Sequence, residues 1–277
     1  MAPLRVIVAL GAMAAAAGAA AAQAPPPAPS AEFRYDPSQL DCATFVERSR
    51  GRLEAQTGTR QRRETLTRDG VLRLRARPGP TGIALEAWYD SLALLRDSPE
   101  GRRQPDTDGL LGGRYRGTLT PAGQYAAEAR PFVPDEVAEV AELGGVLDDL
   151  LPPLPPRALA VGERWADSAG LELRRLPDSL ARGRVIHRLA LRSRTESDRA
   201  TVRGDTTGIA ARQVTVEDGW LDWDPKAGLL RRVRHIVVET SVPARGPVRQ
   251  ALRSRLEQDV RVSRAAGKCE PALGGDR

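Results

Sequence analysis

The sequence of 277 residues contains no asparagine and only two histidines, two cysteines and 11 aromatic residues. The histidines are His187 and His235, and neither a GxSxG nor an HExxH motif occurs, so nothing indicates a Ser-His-Asp hydrolase or a zinc hydrolase. GxGxxG and GxxxxGK(S/T) are absent too, which removes the usual nucleotide-binding loops. We therefore predict no catalytic residues, no metal site and no cofactor.

Lysine is also scarce. Of the 42 basic residues only Lys226 and Lys268 are lysines, and the formal net charge is +6. The arginines are spread among Asp and Glu, without the concentrated basic run that a phosphate backbone would select. We expect no nucleic-acid partner, although the excess of arginine favours contact with an anionic envelope surface.

Long apolar runs are missing except at the start of the chain. Arg5 is followed by VIVALGAMAAAAGAAAA, residues 6–22, which is rich in alanine and ends in small residues, as a secretory signal peptide does. We predict a signal peptide over residues 1–22, cleaved after Ala22, and a periplasmic or extracellular protein. A membrane anchor is the alternative, but alanine adds little hydrophobicity, so we expect no membrane span after cleavage.

The two cysteines, Cys42 and Cys269, lie near opposite ends of the mature chain. In an oxidising compartment the simplest expectation is one disulfide between them. Two free thiols are the alternative. No CxxC motif occurs, so a redox-active pair is not expected.

Composition divides the remaining chain. Residues 23–40 contain five prolines and few apolar side chains, which predicts a disordered, solvated linker. Residues 41–270 form one predicted β-rich domain, and 271–277 a tail. An alternative division gives two similar halves, 42–130 and 158–264, since each contains a Pro turn closed by glycine; whether they are a duplication stays open.

Period-two patterns predict the strands. Residues 185–192 alternate over a strand length, and Trp223-Asp224-Pro225-Lys226-Ala227-Gly228 predicts a hairpin turn, as Asp69-Gly70 does earlier. The last strand has apolar residues on one face with Gln250, Ser254 and Gln258 between them, and charged residues on the other. Its apolar residues are Val248, Leu252, Leu256, Val260 and Val262. One face therefore meets a core or cavity and the other meets water, as in an antiparallel sheet.

A single helix is predicted over residues 134–151. Pro134 suits the first turn, Asp135 and Glu136 suit the positive end of the helix dipole, and the prolines from Pro152 onward end the helix. Spacings of three and four place Val137, Val140, Gly144, Leu147 and Leu151 on one face. The expected fold is mainly β (α+β): a curved antiparallel sheet or half-barrel with one central amphipathic helix on its concave face.

Scarce large aromatic residues mark either a core or a ligand surface. If the helix lies across the open face of a curved sheet, its leucines and the four tryptophans are the first candidates to line a cavity, although core packing is the simpler role. These candidate ligand-binding residues are Trp88, Leu143, Leu147, Leu150, Trp165, Trp220 and Trp223. By strand parity, His187 and His235 are expected to point inward as ordinary sheet residues.

Three stretches together resemble a known pattern: the proline-rich helix exit, LAVGERW at 159–165, and WDPKAGLL at 223–230. This arrangement is similar to exported β-rich bacterial families that carry L-P-x-x-P followed by V-G-(D/E)-x-W. Their layout is distantly similar to that of the lipoprotein-carrier half-barrels, in which a curved sheet and helices enclose an apolar cavity. The resemblance covers about residues 110–260 and transfers no catalytic residue; lipid handling is what it implies by analogy of fold.

Two functional hypotheses follow. The first is an exported, non-enzymatic and monomeric envelope protein that binds a lipid or another apolar ligand between sheet and helix. The second is a structural or protein-interaction module of the cell envelope with no small-molecule ligand. An enzyme would need carboxylates gathered around His187 or His235.

Replacing Cys42 with serine tests the disulfide. A loop of this length is expected to stabilise the fold by roughly 4 to 5 kcal/mol, less any strain. We expect Cys42→Ser to lower the melting temperature without changing the far-ultraviolet circular dichroism. An unchanged melting temperature under non-reducing conditions would refute the pairing.

Overall fold

A computed structural model describes residues 29–198, 211–242 and 250–264 of the chain. The predicted signal peptide (1–22), the tail (271–277), Cys269 and the first part of the predicted linker lie outside these residues. The signal peptide and the Cys42–Cys269 disulfide therefore stay predictions.

Most of the described chain is β-structure. Its strands are β1 (Ala43–Thr57), β2 (Arg60–Gly79), β3 (Gly82–Ser98), β4 (Gly101–Arg103), β5 (Tyr115–Leu119), β6 (Tyr125–Ala129), β7 (Arg164–Ala166), β8 (Leu171–Ala181), β9 (Arg184–Ser197), β10 (Arg212–Asp224), β11 (Gly228–Val242) and β12 (Gln250–Arg264). Its helices are α1 (Pro37–Leu40), α2 (Asp135–Ala138) and α3 (Val146–Leu150), with a short 3-10 turn at Asp108–Leu110.

The strands form one antiparallel sheet in the order β6-β5-β3-β2-β1-β12-β11-β10-β9-β8-β7, with β4 beside β3. Over the described residues the sheet is not closed into a barrel. β1 pairs with β12 from Ala43 opposite Arg264 to Thr57 opposite Gln250, so one continuous sheet runs through both halves of the chain. The predicted antiparallel, mainly β architecture is confirmed.

Of the two turns predicted at Asp69-Gly70 and at residues 223–228, the structure contains the second and not the first. Gly228 has φ 76°, and Asp224 Oδ1 accepts hydrogen bonds from the backbone N–H groups of Lys226 (2.7 Å) and Ala227 (3.1 Å), so the predicted hairpin forms between β10 and β11. Asp69-Gly70, in contrast, lies inside β2 and makes no turn. Both residues pair with strands on either side, and these tertiary pairings override the local turn preference.

The predicted single helix over 134–151 is not what the structure has. The segment contains two short helices, α2 and α3, separated by residues 139–145. Consecutive glycines, Gly144 and Gly145, each cost a helix interior about 1 kcal/mol relative to alanine, which accounts for the interruption. Among the described residues, no helix is both long and apolar enough to cross a membrane.

The apolar residues of this segment are nevertheless buried as their spacing predicted. Residues 131–159, called the cover below, pack their aliphatic side chains onto one face of the sheet, called the inner face. The buried cover residues are Val137, Val140, Leu143, Val146, Leu147, Leu150, Leu151, Leu154 and Leu159. Full burial of such a side chain stabilises by about 1.5 to 3 kcal/mol, so packing holds the cover where helix propensity does not.

The linker prediction is wrong for residues 31–40. Ala31 forms a bridge with Leu159 of the cover, and the side chains of Phe33 and Tyr35 are buried in the core. The Tyr35 hydroxyl donates to the carbonyl of Pro152 at 3.0 Å. The high proline content concealed the alternation of the apolar residues Ala31, Phe33 and Tyr35. Their side chains fill the space between the cover and the sheet.

Candidate functional site

The inner face follows from the alternation of side chains along each strand. In β1, Phe45, Glu47, Ser49 and Gly51 are buried, whereas Arg48 and the other residues between them are exposed on the opposite, outer face. Two of the four buried residues are polar. Period two alone would predict a uniformly apolar inner face. The inner face of β1 is instead part apolar and part polar.

The seven predicted ligand-binding residues do not form one ligand site: four belong to the packed core, a fifth packs against it, and two lie on the outer face. Leu143, Leu147 and Leu150 are buried in the core, and Trp223 packs edge-on against Phe33 and Tyr35. Side chains of the cover and of the sheet thus fill the space between the cover and the sheet. The sequence predicts a ligand in that space.

The remaining tryptophans lie elsewhere. Trp165 is partly buried against the core. Trp88 and Trp220 are on the outer face: the guanidinium of Arg114 lies 4.1 Å from the ring centroid of Trp88, and those of Arg188 and Arg231 lie 5.7 and 5.9 Å from that of Trp220. The scarcity of aromatic residues did not identify a shared site.

Five neighbouring strands each contribute one polar side chain to a row across the inner face. We call this set the polar row: Arg68 (β2), Glu47 (β1), Gln258 (β12), Arg234 (β11) and Glu217 (β10). Arg68 Nε and Gln258 Nε2 each donate to Glu47 Oε1 at 2.7 Å. Arg234 Nη1 donates to Gln258 Oε1 at 3.3 Å, and Nε and Nη2 bind the Glu217 carboxylate at 2.7 and 3.1 Å.

The polar row also holds the cover. Arg234 Nη1 donates to Asp149 Oδ1 of α3 at 2.8 Å, and Arg68 Nη1 donates to the carbonyl of Glu142 at 3.3 Å. Arg232, next to the row on β11, donates to the carbonyl of Asp149 and approaches Glu217 Oε1 at 3.4 Å. Because buried charges need partners, these contacts determine where α3 sits on the sheet.

Beyond the polar row the inner face carries aliphatic side chains again, beside the Glu64–Arg96 ion pair of β2 and β3, and none of the described residues covers them. Partly or largely exposed aliphatic side chains on four adjacent strands form a surface that we call the uncovered patch: Leu53, Leu66, Ile236, Val238, Leu252 and Leu256. Gly51 lies between Leu66 and Leu256: a Cβ added there would be 3.4 Å from Leu66 Cβ and 3.8 Å from Leu256 Cδ1. The inner face thus places a polar surface, the row, beside an apolar surface, the patch. An amphiphile has the same combination of a polar end and an apolar chain.

Burial perturbs the ionisable groups near the row. Desolvation, reinforced by the neighbouring Arg234 and opposed by Glu217, lowers the pKa of Arg232 to about 10. Desolvation raises the pKa of Tyr115 to about 12 and that of Tyr89 further. Four side-chain atoms here, Glu47 Oε2, Arg232 Nε, Tyr89 Oη and Tyr115 Oη, are buried without a hydrogen-bond partner in the protein.

The histidines take other roles. His187 Nδ1 lies 2.9 Å from Asp178 Oδ1, and the Arg175 guanidinium binds the same carboxylate and the carbonyls of Pro29 and Leu159. These bonds tie the start of the described chain to β8. His235, expected to point inward, is half exposed on the outer face beside Asp218 at 3.5 Å. Within the described ranges, no three His, Cys, Asp or Glu residues are grouped so as to hold a metal ion.

The polar row could have been partly detected from sequence. Period two places Glu47 on the same side as Phe45 and Gln258 on the same side as Val260, and a polar residue on an apolar face is a signal in itself. Arg68, Glu217 and Arg234 had no such signal, because arginine and glutamate occur throughout these strands.

No known protein family matches this chain, and neither a curated protein nor a solved structure shows significant similarity to it. The functional argument therefore depends on the geometry of the polar row and the uncovered patch.

Arg234→Leu tests the polar row. The substitution leaves Glu217 and Asp149 without their shared cation, and removing one partner from a buried ionic network costs about 3 to 5 kcal/mol. We expect urea unfolding to show that loss. Arg50→Leu, at an exposed outer-face position of β1, should change the free energy of unfolding by no more than about 0.5 kcal/mol. Equal losses in the two variants would contradict the assignment.

The tyrosines predict a pH dependence. The chain has four, and burial raises the pKa of each above its ordinary value of 10.0. Their contribution to stability is complete below that value and is lost as pH rises, because the unfolded chain then releases protons that the folded chain retains. We expect stability to fall above about pH 10, with tyrosinate absorbance appearing together with unfolding. Tyrosinate formation near pH 10 in the folded protein would contradict this.

Proposed function

We propose that this chain is an exported, non-enzymatic envelope protein that binds a lipid-like amphiphile on the inner face of its sheet. The ligand's apolar chain lies on the uncovered patch and its polar end meets the polar row. The observation that carries the proposal is the juxtaposition of these two surfaces on the same strands.

The uncovered patch supports the apolar part of the ligand. Its aliphatic side chains are contiguous across β2, β1, β12 and β11, yet they remain partly exposed although the same strands are well covered a few residues away. Contiguous exposed apolar surface of this kind commonly marks a binding site. The location differs from the cavity expected between sheet and helix, because core side chains fill that space.

The polar row supports the choice of head group. Together with the adjacent Arg232 and Asp149, the row contains three cations, Arg68, Arg232 and Arg234, and three carboxylates, Glu47, Glu217 and Asp149. With these opposite charges already paired, the row offers no surplus charge for a strongly ionic partner. It suits a neutral or zwitterionic head group that can both accept and donate hydrogen bonds.

A structural or protein-interaction role on the outer face is the second candidate. That face carries many arginines, but Arg48 pairs opposite Asp259, Arg50 opposite Glu257, and Arg231 binds Asp259 at 2.9 Å. Cations and anions are therefore mixed on this surface, although Arg52 lies opposite Arg255, and the surface provides no uniform positive field for an anionic polymer.

Titration with a short-chain fluorescent phosphatidylcholine below its micelle concentration tests the proposed function. We expect saturable uptake by the wild-type protein, and Leu252→Asp should weaken it about ten-fold or more, because a carboxylate on the patch must be desolvated by the acyl chain. Leu252 is 40% exposed, so the substitution leaves the core intact.

The matched control is Val46→Asp, which places the same charge at a 36% exposed apolar position on the outer face of β1. Its affinity for the probe should equal that of the wild type. No uptake by the wild type, or equal weakening by both substitutions, would count against the patch and favour the interaction-module alternative.

A further inference from the structure

The turn between β8 and β9 forms a protruding and well-defined tip. Arg182 and Gly183 have φ 51° and 74°, and Ala181 pairs with Arg184, which is the geometry of a tight two-residue hairpin. All four residues are exposed, and a Cβ added at Gly183 would meet nothing within 4 Å. The tip therefore projects into solvent at the end of the paired strands β8 and β9.

Two large apolar side chains stand on this tip. Leu180 is 78% exposed and Val185 45%, and they lie directly opposite each other across the strand pair. No turn geometry requires apolar residues at these positions, where a polar pair would be better solvated. Their exposure points to an apolar partner.

Cations surround this pair. Arg182, Arg184 and Lys226 of the neighbouring β10–β11 turn are all exposed. The nearby acids are engaged: Asp178 accepts hydrogen bonds from Arg175, and the buried Asp224 binds the turn's own N–H groups and lies 3.5 Å from Arg184 Nη1. Among the described residues, Arg182 and Lys226 are therefore the cations here that no nearby carboxylate pairs with. A cleft of about 580 Å³ separates the tip from that turn, lined by Gly183, Arg184, Val185 and residues 224–227.

We propose that this hairpin tip is a docking surface for an anionic lipid membrane. Leu180 and Val185 enter the boundary between head groups and acyl chains, while Arg182 and Lys226 meet the lipid phosphates, and the cleft beside the Arg184–Asp224 ion pair accommodates a head group. An apolar pair ringed by cations is complementary to such an interface, where apolar burial and attraction to anionic lipid add. The tip lies at the end of the strands opposite the uncovered patch, so this contact leaves the patch accessible.

Sedimentation with lipid vesicles tests the docking surface. The wild-type protein should bind vesicles of phosphatidylcholine mixed with phosphatidylglycerol, bind pure phosphatidylcholine much more weakly, and lose binding as salt increases. Leu180→Ser should reduce partition to the mixed vesicles by about five-fold or more, because it removes the main apolar contact. Leu180 is exposed, so the melting temperature should not change.

The matched control is Phe132→Ser, which removes an even more exposed apolar side chain, 84% accessible, just beyond β6 at the other edge of the sheet. It should bind vesicles as the wild type does.

The proposal would be overturned by equal binding of the Leu180 variant and the wild type, by an equal loss in the Phe132 variant, or by binding that does not depend on lipid charge. It would also fail if the tip instead mediates a Leu180-dependent dimer, detected by analytical ultracentrifugation, without vesicle binding. Uptake of the soluble phosphatidylcholine probe should be unchanged by Leu180→Ser, which separates this proposal from the ligand-binding one.

Discussion

The ion pairs between Arg234, Glu217 and Asp149 lie where the cover ends on the described part of the sheet. A strand of 15 residues such as β1 extends about 50 Å, whereas α2 and α3 have four and five residues. The cover can therefore shield only part of the inner face. On the shielded side the face is apolar and closely packed, and at the boundary it is ionic. Beyond the boundary it carries partly exposed aliphatic side chains beside the Glu64–Arg96 ion pair.

This arrangement links the cover to the sheet through directional bonds as well as through apolar packing. Apolar contacts alone would tolerate a shift of α3 along the sheet, because aliphatic surfaces are not directional. Arg234 removes that freedom, since it must reach Glu217 on β10, Gln258 on β12 and Asp149 on α3 at once. A ligand whose polar end reaches the row would meet the same guanidinium that positions the cover.

Two proposed surfaces lie at opposite ends of the strands. The uncovered patch adjoins the row on β2, β1, β12 and β11, and the hairpin tip follows β8 near the β10–β11 turn. The two differ in chemistry as well: the patch lies beside balanced, paired charges, whereas the tip has exposed cations and engaged acids. A protein that takes up an amphiphile at one end and contacts anionic lipid at the other could exchange its ligand at a membrane while remaining outside it.

The sequence alone predicts most of the strands, the hairpin at Gly228 and the burial of Val137, Val140 and Leu147, because period-two patterns, turn residues and apolar spacing act within a few residues. It also predicts a turn at Asp69-Gly70, a pair that instead lies inside β2. It did not reveal the interrupted helix as such, the burial of Phe33 and Tyr35, or the polar row. The bond from Gln258 to Glu47 joins residues 211 apart in the chain, and that from Arg234 to Asp149 joins residues 85 apart. Only the pairing of β1 with β12, and the docking of α3 beside β11, brought these side chains together. The charge pattern of a single strand does not show whether an arginine side chain is exposed to solvent or pairs with a buried carboxylate on another strand.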